Sequence, residues 1–365
     1  MKVEMLIYIY LAVCVSMILF NIACIFVFRH RDRKTDSSKI DLTDKIKTQL
    51  EQHTVDAAHR KYLSRKLRRV GNLMAFDKTL EEMYDKEPDG IRWYLDELAL
   101  VFVYLGQVYV KKNNLQAAYF PYIIQKYRIC CGQNITTIID AMLTLVHRPS
   151  LYCRENALQA LYALGNAESV TQALRILDQN GYYYHAKLIT DGLLEFSGDR
   201  ETLSDLLWKE LPAFSEKMQV AILDYFRFSS DTHKERILGV LLSENCTDEV
   251  AYSCIRYFGK YHYESAFPYL LRFAESTDET RWEYAAIAAT ALGNYPDSRT
   301  EETLKNLLHS NNWYVRYNAS QSLDKLGLDY TDLIDIFEGD DRYAGEIMRY
   351  RFDQKKMKEK ETVTA

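Results

Sequence analysis

The sequence predicts an all-α fold: a solenoid of stacked antiparallel helix pairs behind a single transmembrane helix. Three observations carry this. Cys153–Gly165 (CRENALQALYALG) returns towards the C-terminus as Val315–Gly327 (VRYNASQSLDKLG). Arg154, Asn156, Ala157, Leu161, Leu164 and Gly165 match Arg316, Asn318, Ala319, Leu323, Leu326 and Gly327. Ala, Leu and Leu at i, i+4 and i+7 make one apolar helix face, which glycine ends. Weaker copies fill the interval. The expected helix ends fall at positions 165, 198, 229, 259, 293 and 327. A near-constant interval of this size marks stacked supersecondary units. Finally, Met5–Phe28 carries no charged residue.

Composition sets the bounds. The chain has 365 residues, of which 48% are hydrophobic and 27% charged, as in an ordered protein. An array grows along one axis, so length does not count domains here. Seven cysteines include no CxxC, which argues against a zinc site or a redox motif and for buried small hydrophobes. The 28 tyrosines read first as compositional habit and second as interface material.

At ~1.5 Å per residue Met5–Phe28 spans a hydrocarbon core of about 30 Å with some tilt. Arg29-His30-Arg31-Asp32-Arg33-Lys34 follows at once, which places the N-terminus outside and the array in the cytoplasm. A cleaved signal peptide would have a shorter core and its positive charge at the other end. A lipoprotein box at Ala23-Cys24 is countered by Asn21 and by the apolar run continuing through Ile25–Phe28.

Residues 29–54 read as a basic juxtamembrane linker, a tether or a weak helix. His59–Arg69 (HRKYLSRKLRR) is a basic helix with Tyr62, Leu63 and Leu67 on one face. Residues 29–69 hold 13 Lys/Arg against 6 Asp/Glu, net +7; residues 70–365 hold 32 against 44, net −12. Arg60, Lys61, Arg65, Lys66, Arg68 and Arg69 are therefore candidate contacts to anionic lipid, against the alternative of a solvated helix face. Degenerate helical repeats are expected over 55–132, with units ending at Gly106 and Gly132. Leu105-Gly106, Tyr109, Ala118 and Tyr122 also have tetratricopeptide spacing, and both readings give an antiparallel helix pair.

The main array is expected over 133–355. Its pairs are Asn134–His147 with Leu151–Leu164, Glu168–Gln179 with Tyr182–Phe196, Glu201–Leu211 with Ser215–Phe228, and Asp231–Ser243 with Thr247–Phe258. Tyr263–Glu275 with Asp278–Leu292, Thr300–His309 with Asn312–Leu326, and Asp329–Phe337 with Asp341–Lys355 complete it. The last helix has a charged end, as a capping unit requires. Residues 356–365 read as a disordered tail.

These units resemble HEAT repeats in the short bacterial form, also seen in phycobilisome lyase-type repeats. The carrying residues are Val315-Arg316-Tyr317-Asn318-Ala319 and Cys153-Arg154-Glu155-Asn156-Ala157 with the Leu, Leu and Gly that follow each. The resemblance implies a right-handed α–α superhelix, with Arg154 and Arg316 in a stacking ladder between units. Asn156 and Asn318 are expected to bond backbone at a helix start. Fold resemblance alone does not give function.

No HExxH, Walker A, GxSxG or GxGxxG occurs, and none of the eight histidines precedes a glutamate. The acidic array speaks against nucleic acid. No cofactor, metal or catalytic residue is expected. Helices of this kind line a concave face with their second members, whose starts carry Tyr152, Tyr183, Trp282, Tyr284, Trp313, Tyr314 and Tyr317. These are candidate protein-binding anchors. The expected function is a membrane-anchored cytoplasmic scaffold or adaptor, with a partner of the cell-envelope or polysaccharide-assembly kind. The alternative is an enzyme on the same scaffold, either phycobilisome lyase-like or an unknown hydrolase.

Overall fold

A computed structural model describes residues 2–182, 184–276 and 279–364; for 2–4, 6–7, 24–35, 279, 356 and 358–364 it describes the backbone alone. The described residues are helical, without a strand. They form two compact units, Met1–Asn180 with Glu195–Leu203 and Gly181–Leu194 with Ser204–Ala365.

The first unit holds α1 (Lys2–Glu51), α2 (Ala57–Lys66), α3 (Val70–Tyr84), α4 (Pro88–Glu97), α5 (Ala99–Tyr109), α6 (Asn114–Lys126), α7 (Thr136–Val146), α8 (Leu151–Leu164) and α9 (Ala167–Gln179). Here α5 packs on α7, α7 on α9 and α6 on α8. In chain order there follow α10 (Ala186–Leu194), α11 (Arg200–Glu210), α12 (Glu216–Ser229), α13 (Lys234–Leu241), α14 (Asp248–Lys260), α15 (Phe267–Ala274), α16 (Trp282–Leu292), α17 (Ser298–Leu307), α18 (Trp313–Lys325), α19 (Ile334–Glu338) and α20 (Arg342–Thr364). In the second unit α10, α12, α14, α16, α18 and α20 each pack on the next, while α13, α15, α17 and α19 each pair with the helix that follows. This is the helix-pair repetition that the sequence period predicts.

Side chains that reach a neighbouring unit's backbone tie the repeats together. Asn318 Nδ2 donates to the Ala286 carbonyl at 2.8 Å, and Ser322 Oγ to that of Ala289 at 2.7 Å. Asn294 Nδ2 donates to Gly259 O at 2.8 Å, and Thr190 Oγ1 to Ala221 O at 2.8 Å. In the first unit Asn156 Nδ2 donates to Ala118 O at 2.8 Å. The asparagines thus form the ladder between units and not a helix-start bond. The arginines hold local turns, and Arg316 also reaches the following pair through Asp341 at 3.5 Å. Arg154 donates to the carbonyls of Arg148 and Pro149, at 3.0 and 2.7 Å, and Arg316 Nε to that of Ser310. Each pins the turn that leads into its own helix.

The repeated glycines divide by cause. Gly165 and Gly327 are left-handed (φ 77° and 86°), the conformation that closes a helix. Gly259 and Gly293 are not. A Cβ at Gly259 would lie 3.0 Å from Ala291 Cα, and one at Gly293 would lie 2.8 Å from Ser322 Oγ, so these two allow close helix approach. Gly106 lies inside α5 and ends no helix.

The N-terminal region departs from expectation. The linker is the second half of α1. Its Ser38, Leu42, Ile46 and Gln49, at i, i+4, i+8 and i+11, are buried, and α1 packs on α3 and α4. Two apolar residues one turn apart suffice to dock it, although charge surrounds them in the sequence. The backbone of the expected tail continues α20 to Thr364. Among the described residues no helix is long and apolar enough to cross a membrane. The expected span lies partly outside them, since side chains are described for Met5 and for 8–23. Six cysteines are described and all are unpaired, Cys130, Cys153 and Cys254 being buried.

Glycine to alanine in a helix interior ordinarily stabilises by about 0.5–1 kcal/mol. Gly239, in α13, has open space around it, so Gly239→Ala should raise the melting temperature. Gly259→Ala should reverse the sign and destabilise by about 1–3 kcal/mol, because its methyl meets the Ala291 backbone. Thermal melts of the two variants check this; equal shifts would remove close approach as the reason for glycine at 259.

Candidate binding surfaces

The start of α18 builds an aromatic surface. Asn312 caps the helix, its side chain accepting from Tyr314 N at 2.8 Å. Val315, Ala319 and Leu323 face the core, which turns Trp313 and Tyr314 outward; both are more than half exposed. On α20, Ala344 and Met348 are buried, which turns Tyr343, Glu346 and Tyr350 outward. The two helices pack together, and between them lies a groove of about 650 Å³ lined by Trp313, Arg316, Tyr317, Tyr343, Glu346 and Tyr350, with Asn311 and Ile347. Trp313 stacks on Tyr317 at 4.8 Å and meets Tyr314 edge-on at 5.2 Å. Tyr314 in turn stacks on Trp282 of the preceding pair at 5.4 Å. A second groove, of about 460 Å³, shares Asn311 with the first and holds Trp282 and His309.

The charges of the main groove are satisfied internally. Arg316 pairs with Asp341 at 3.5 Å and lies over the Tyr343 ring at 5.3 Å. Glu346 pairs with Arg342 at 2.7 Å, and Arg351 covers a face of Tyr317 at 5.4 Å. His309 beside Asp341 holds that carboxyl below its ordinary range. What the groove offers a ligand is ring surface.

The expected anchors divide. Trp282, Trp313, Tyr314 and Tyr317 come together. Tyr284 does not join them: it is 5% exposed, its hydroxyl donates to Asp248 at 2.8 Å, and its ring stacks on Phe273 at 5.0 Å. It is a core residue, because position 284 faces the same side of α16 as Ala285 and Ala288. Tyr152 is exposed but belongs to the first unit. Tyr183 lies outside the described residues. Tyr343 and Tyr350 went unanticipated, although their seven-residue spacing on one helix puts them on one face.

The basic helix forms a second surface. Asp56 caps α2, accepting from His59 N at 2.6 Å, and Leu63 and Leu67 anchor it in the core. Two of the six candidate lipid contacts are engaged within the protein. Arg60 pairs with Glu97 at 2.6 Å and Lys66 with Asp41 at 2.8 Å. Lys61, Arg65, Arg68 and Arg69 are exposed. Lys61, Arg65, Lys66 and Arg69 line a groove of about 540 Å³ with Tyr62 and Asn72. Asp41 fixes this surface to α1: it accepts from Tyr62 at 2.5 Å and pairs with Lys45 at 3.0 Å. Partial burial would raise its pKa, but hydrogen bonds from Lys66, Tyr62 and Lys45 outweigh that and hold the carboxyl far below its usual range.

No protein-family model matches this chain, and none of the curated proteins matches it. Among the described residues no group of three or more His, Cys, Asp or Glu is placed to hold a metal.

A carboxyl depressed on folding stabilises the protein above its unfolded pKa, and that stability is lost as pH falls. The Asp41 contribution should therefore be full at neutral pH and decline below about pH 4. Asp41→Asn should lower the melting temperature at pH 7 and flatten the acid limb between about pH 4 and 2. Parallel melting curves for the two proteins across that window would refute the assignment.

Proposed function

We propose that the protein is a membrane-anchored scaffold whose HEAT-like helical repeats, of right-handed superhelical form, hold a segment of another protein. The observation that carries the reading is the groove between α18 and α20. Exposed Trp and Tyr side chains gather there on a rigid helical support, and such residues dominate binding energy at protein interfaces. Its charged groups already have partners, which favours a segment that enters uncharged. A new charge would meet none left unpaired and would lose its hydration.

The anchor reading is supported by α1. Its side chains from Tyr8 to Phe20 are exposed on every face, Tyr8, Ile9, Tyr10, Leu11, Met17, Ile18, Leu19 and Phe20 among them. A helix apolar all round without protein packed about it suits lipid and not water. The arginines and lysine at 29–34 then favour a cytoplasmic array and an external N-terminus.

Trp313→Ala should weaken capture of the partner by about ten-fold or more and leave the melting temperature within a degree or two, because an exposed anchor contributes to binding and little to folding. Cross-linking and affinity capture from solubilised membranes, beside a melt of the variant, measure both. A large fall in melting temperature with capture unchanged would assign Trp313 to packing. For topology, a reporter fused after Ala365 should be active in the cytoplasm and silent outside.

A further inference from the structure

The groove on α2 carries charge that the fold does not explain. Lys61 and Arg65 stand at i and i+4, a like-charge pair that destabilises a helix. Arg69 follows one turn further on and is the residue preceding α3; its side chain makes no capping bond, and the first turn of α3 has no acidic residue. A cation at a helix N-terminus opposes the helix dipole. Arg60, Lys126 and Lys39 of the same unit each have a carboxylate, in Glu97, Asp77 and Glu82. Among the described residues no carboxylate lies within ion-pair distance of Lys61, Arg65 or Arg69. The one acid of the cluster, Asp41, faces both Lys45 and Lys66. Five cations thus meet one carboxylate beside the positive end of a 15-residue helix.

We infer that this groove binds a phosphate-bearing anion. Its N–H donors, the ammonium groups of Lys61 and Lys66 and the guanidinium groups of Arg65 and Arg69, suit phosphate oxygens. A phosphate held there would offset the repulsion among Lys61, Arg65 and Arg69. The groove is open on one side and large enough for a headgroup or a diphosphate, at about 540 Å³. The same chemistry comes from an anionic lipid headgroup or from a soluble phosphate compound. Ser38 Oγ donates to Asn72 at 3.1 Å, and Lys45 lies over Tyr62 at 3.7 Å, so the groove runs beside α1 between these levels. They are about 15 and 25 Å along the axis from Phe28 at ~1.5 Å per residue. An upright α1 would keep the groove clear of the headgroups, and a tilted one would bring its Arg69 end down to them. The lipid source alone rests on the membrane-anchor reading.

The test is lysine acylation footprinting of the full chain by mass spectrometry. In neutral detergent, inorganic pyrophosphate should slow modification of Lys61 by about five-fold when present at four times its dissociation constant. Lys78, exposed on α3 outside the groove, should not change. In vesicles, phosphatidylglycerol mixed with phosphatidylcholine should give the same protection without pyrophosphate if the lipid is the source, and phosphatidylcholine alone should give none. Arg65→Gln with Arg69→Gln should abolish protection and, in the absence of any anion, raise the melting temperature by relieving repulsion. Equal protection of Lys61 and Lys78, no protection by either source, or protection that survives in the double variant would overturn the inference. A chain that fails to enter vesicles but is protected by pyrophosphate counts against the anchor and for the groove.

Discussion

The stacking of this protein depends on hydrogen bonds from side chains of one helix to backbone carbonyls of the next. A helical carbonyl already accepts from the amide four residues on, and its second lone pair is free. A side chain from the adjacent helix reaches that lone pair only if the helices approach closely. The acceptors are accordingly small: Ala118, Ala221, Gly259, Ala286 and Ala289. The donor and the small acceptor form one device, 31 to 38 residues apart. A larger acceptor residue would push the helices apart and strand the buried donor, at a cost of about 1–3 kcal/mol. Gly259 joins the two halves of the argument, since its carbonyl accepts from Asn294 and its missing Cβ admits Ala291.

This explains what was legible in the sequence. The apolar face Ala157/Leu161/Leu164 and the turn glycines Gly165 and Gly327 are local features, and α8 runs from Leu151 to Leu164 as their spacing requires. The period could be read because each unit must bring a donor to a carbonyl of the adjacent unit. The partner of each donor could not be read, since Asn156 and Asn318 have the local appearance of capping residues. The same limit hid the packing of Leu42 and Ile46, two apolar positions within a polar stretch that reads as solvated until α3 lies against it.

The tyrosines were the least legible feature. Many serve as long-armed donors within the fold. Tyr109 bonds the Leu67 carbonyl at 2.7 Å, Tyr295 that of Phe258 at 3.2 Å, and Tyr119 and Tyr127 converge on buried Asp77 at 2.5 and 2.7 Å. Burial makes such a phenol harder to ionise, and Tyr295 is pushed up to about 12, so the proton stays available for donation. A tyrosine at the start of a second helix is therefore ambiguous. Tyr284 finds Asp248 and turns inward, whereas Tyr314 has no acid within reach of its hydroxyl among the described residues and remains outside with Trp313. The distinction depends on what residue 248 is, thirty-six positions earlier.

Along α20 the surface changes character. A helix face that meets water is ordinarily polar. The sequence of α20 meets this only in part. Its inner positions Ala344 and Met348 are buried, yet Tyr343 and Tyr350 stand outward at 69% and 56% exposure. They lie seven residues apart on one face, opposite the aromatic start of α18. Ring surface left open to water on a helix that could carry lysine or glutamate at both places brings no stability. The neighbouring charges are neutralised in pairs, Arg316 with Asp341 and Glu346 with Arg342, which keeps them from repelling an apolar ligand. Both features are what the proposed binding role requires.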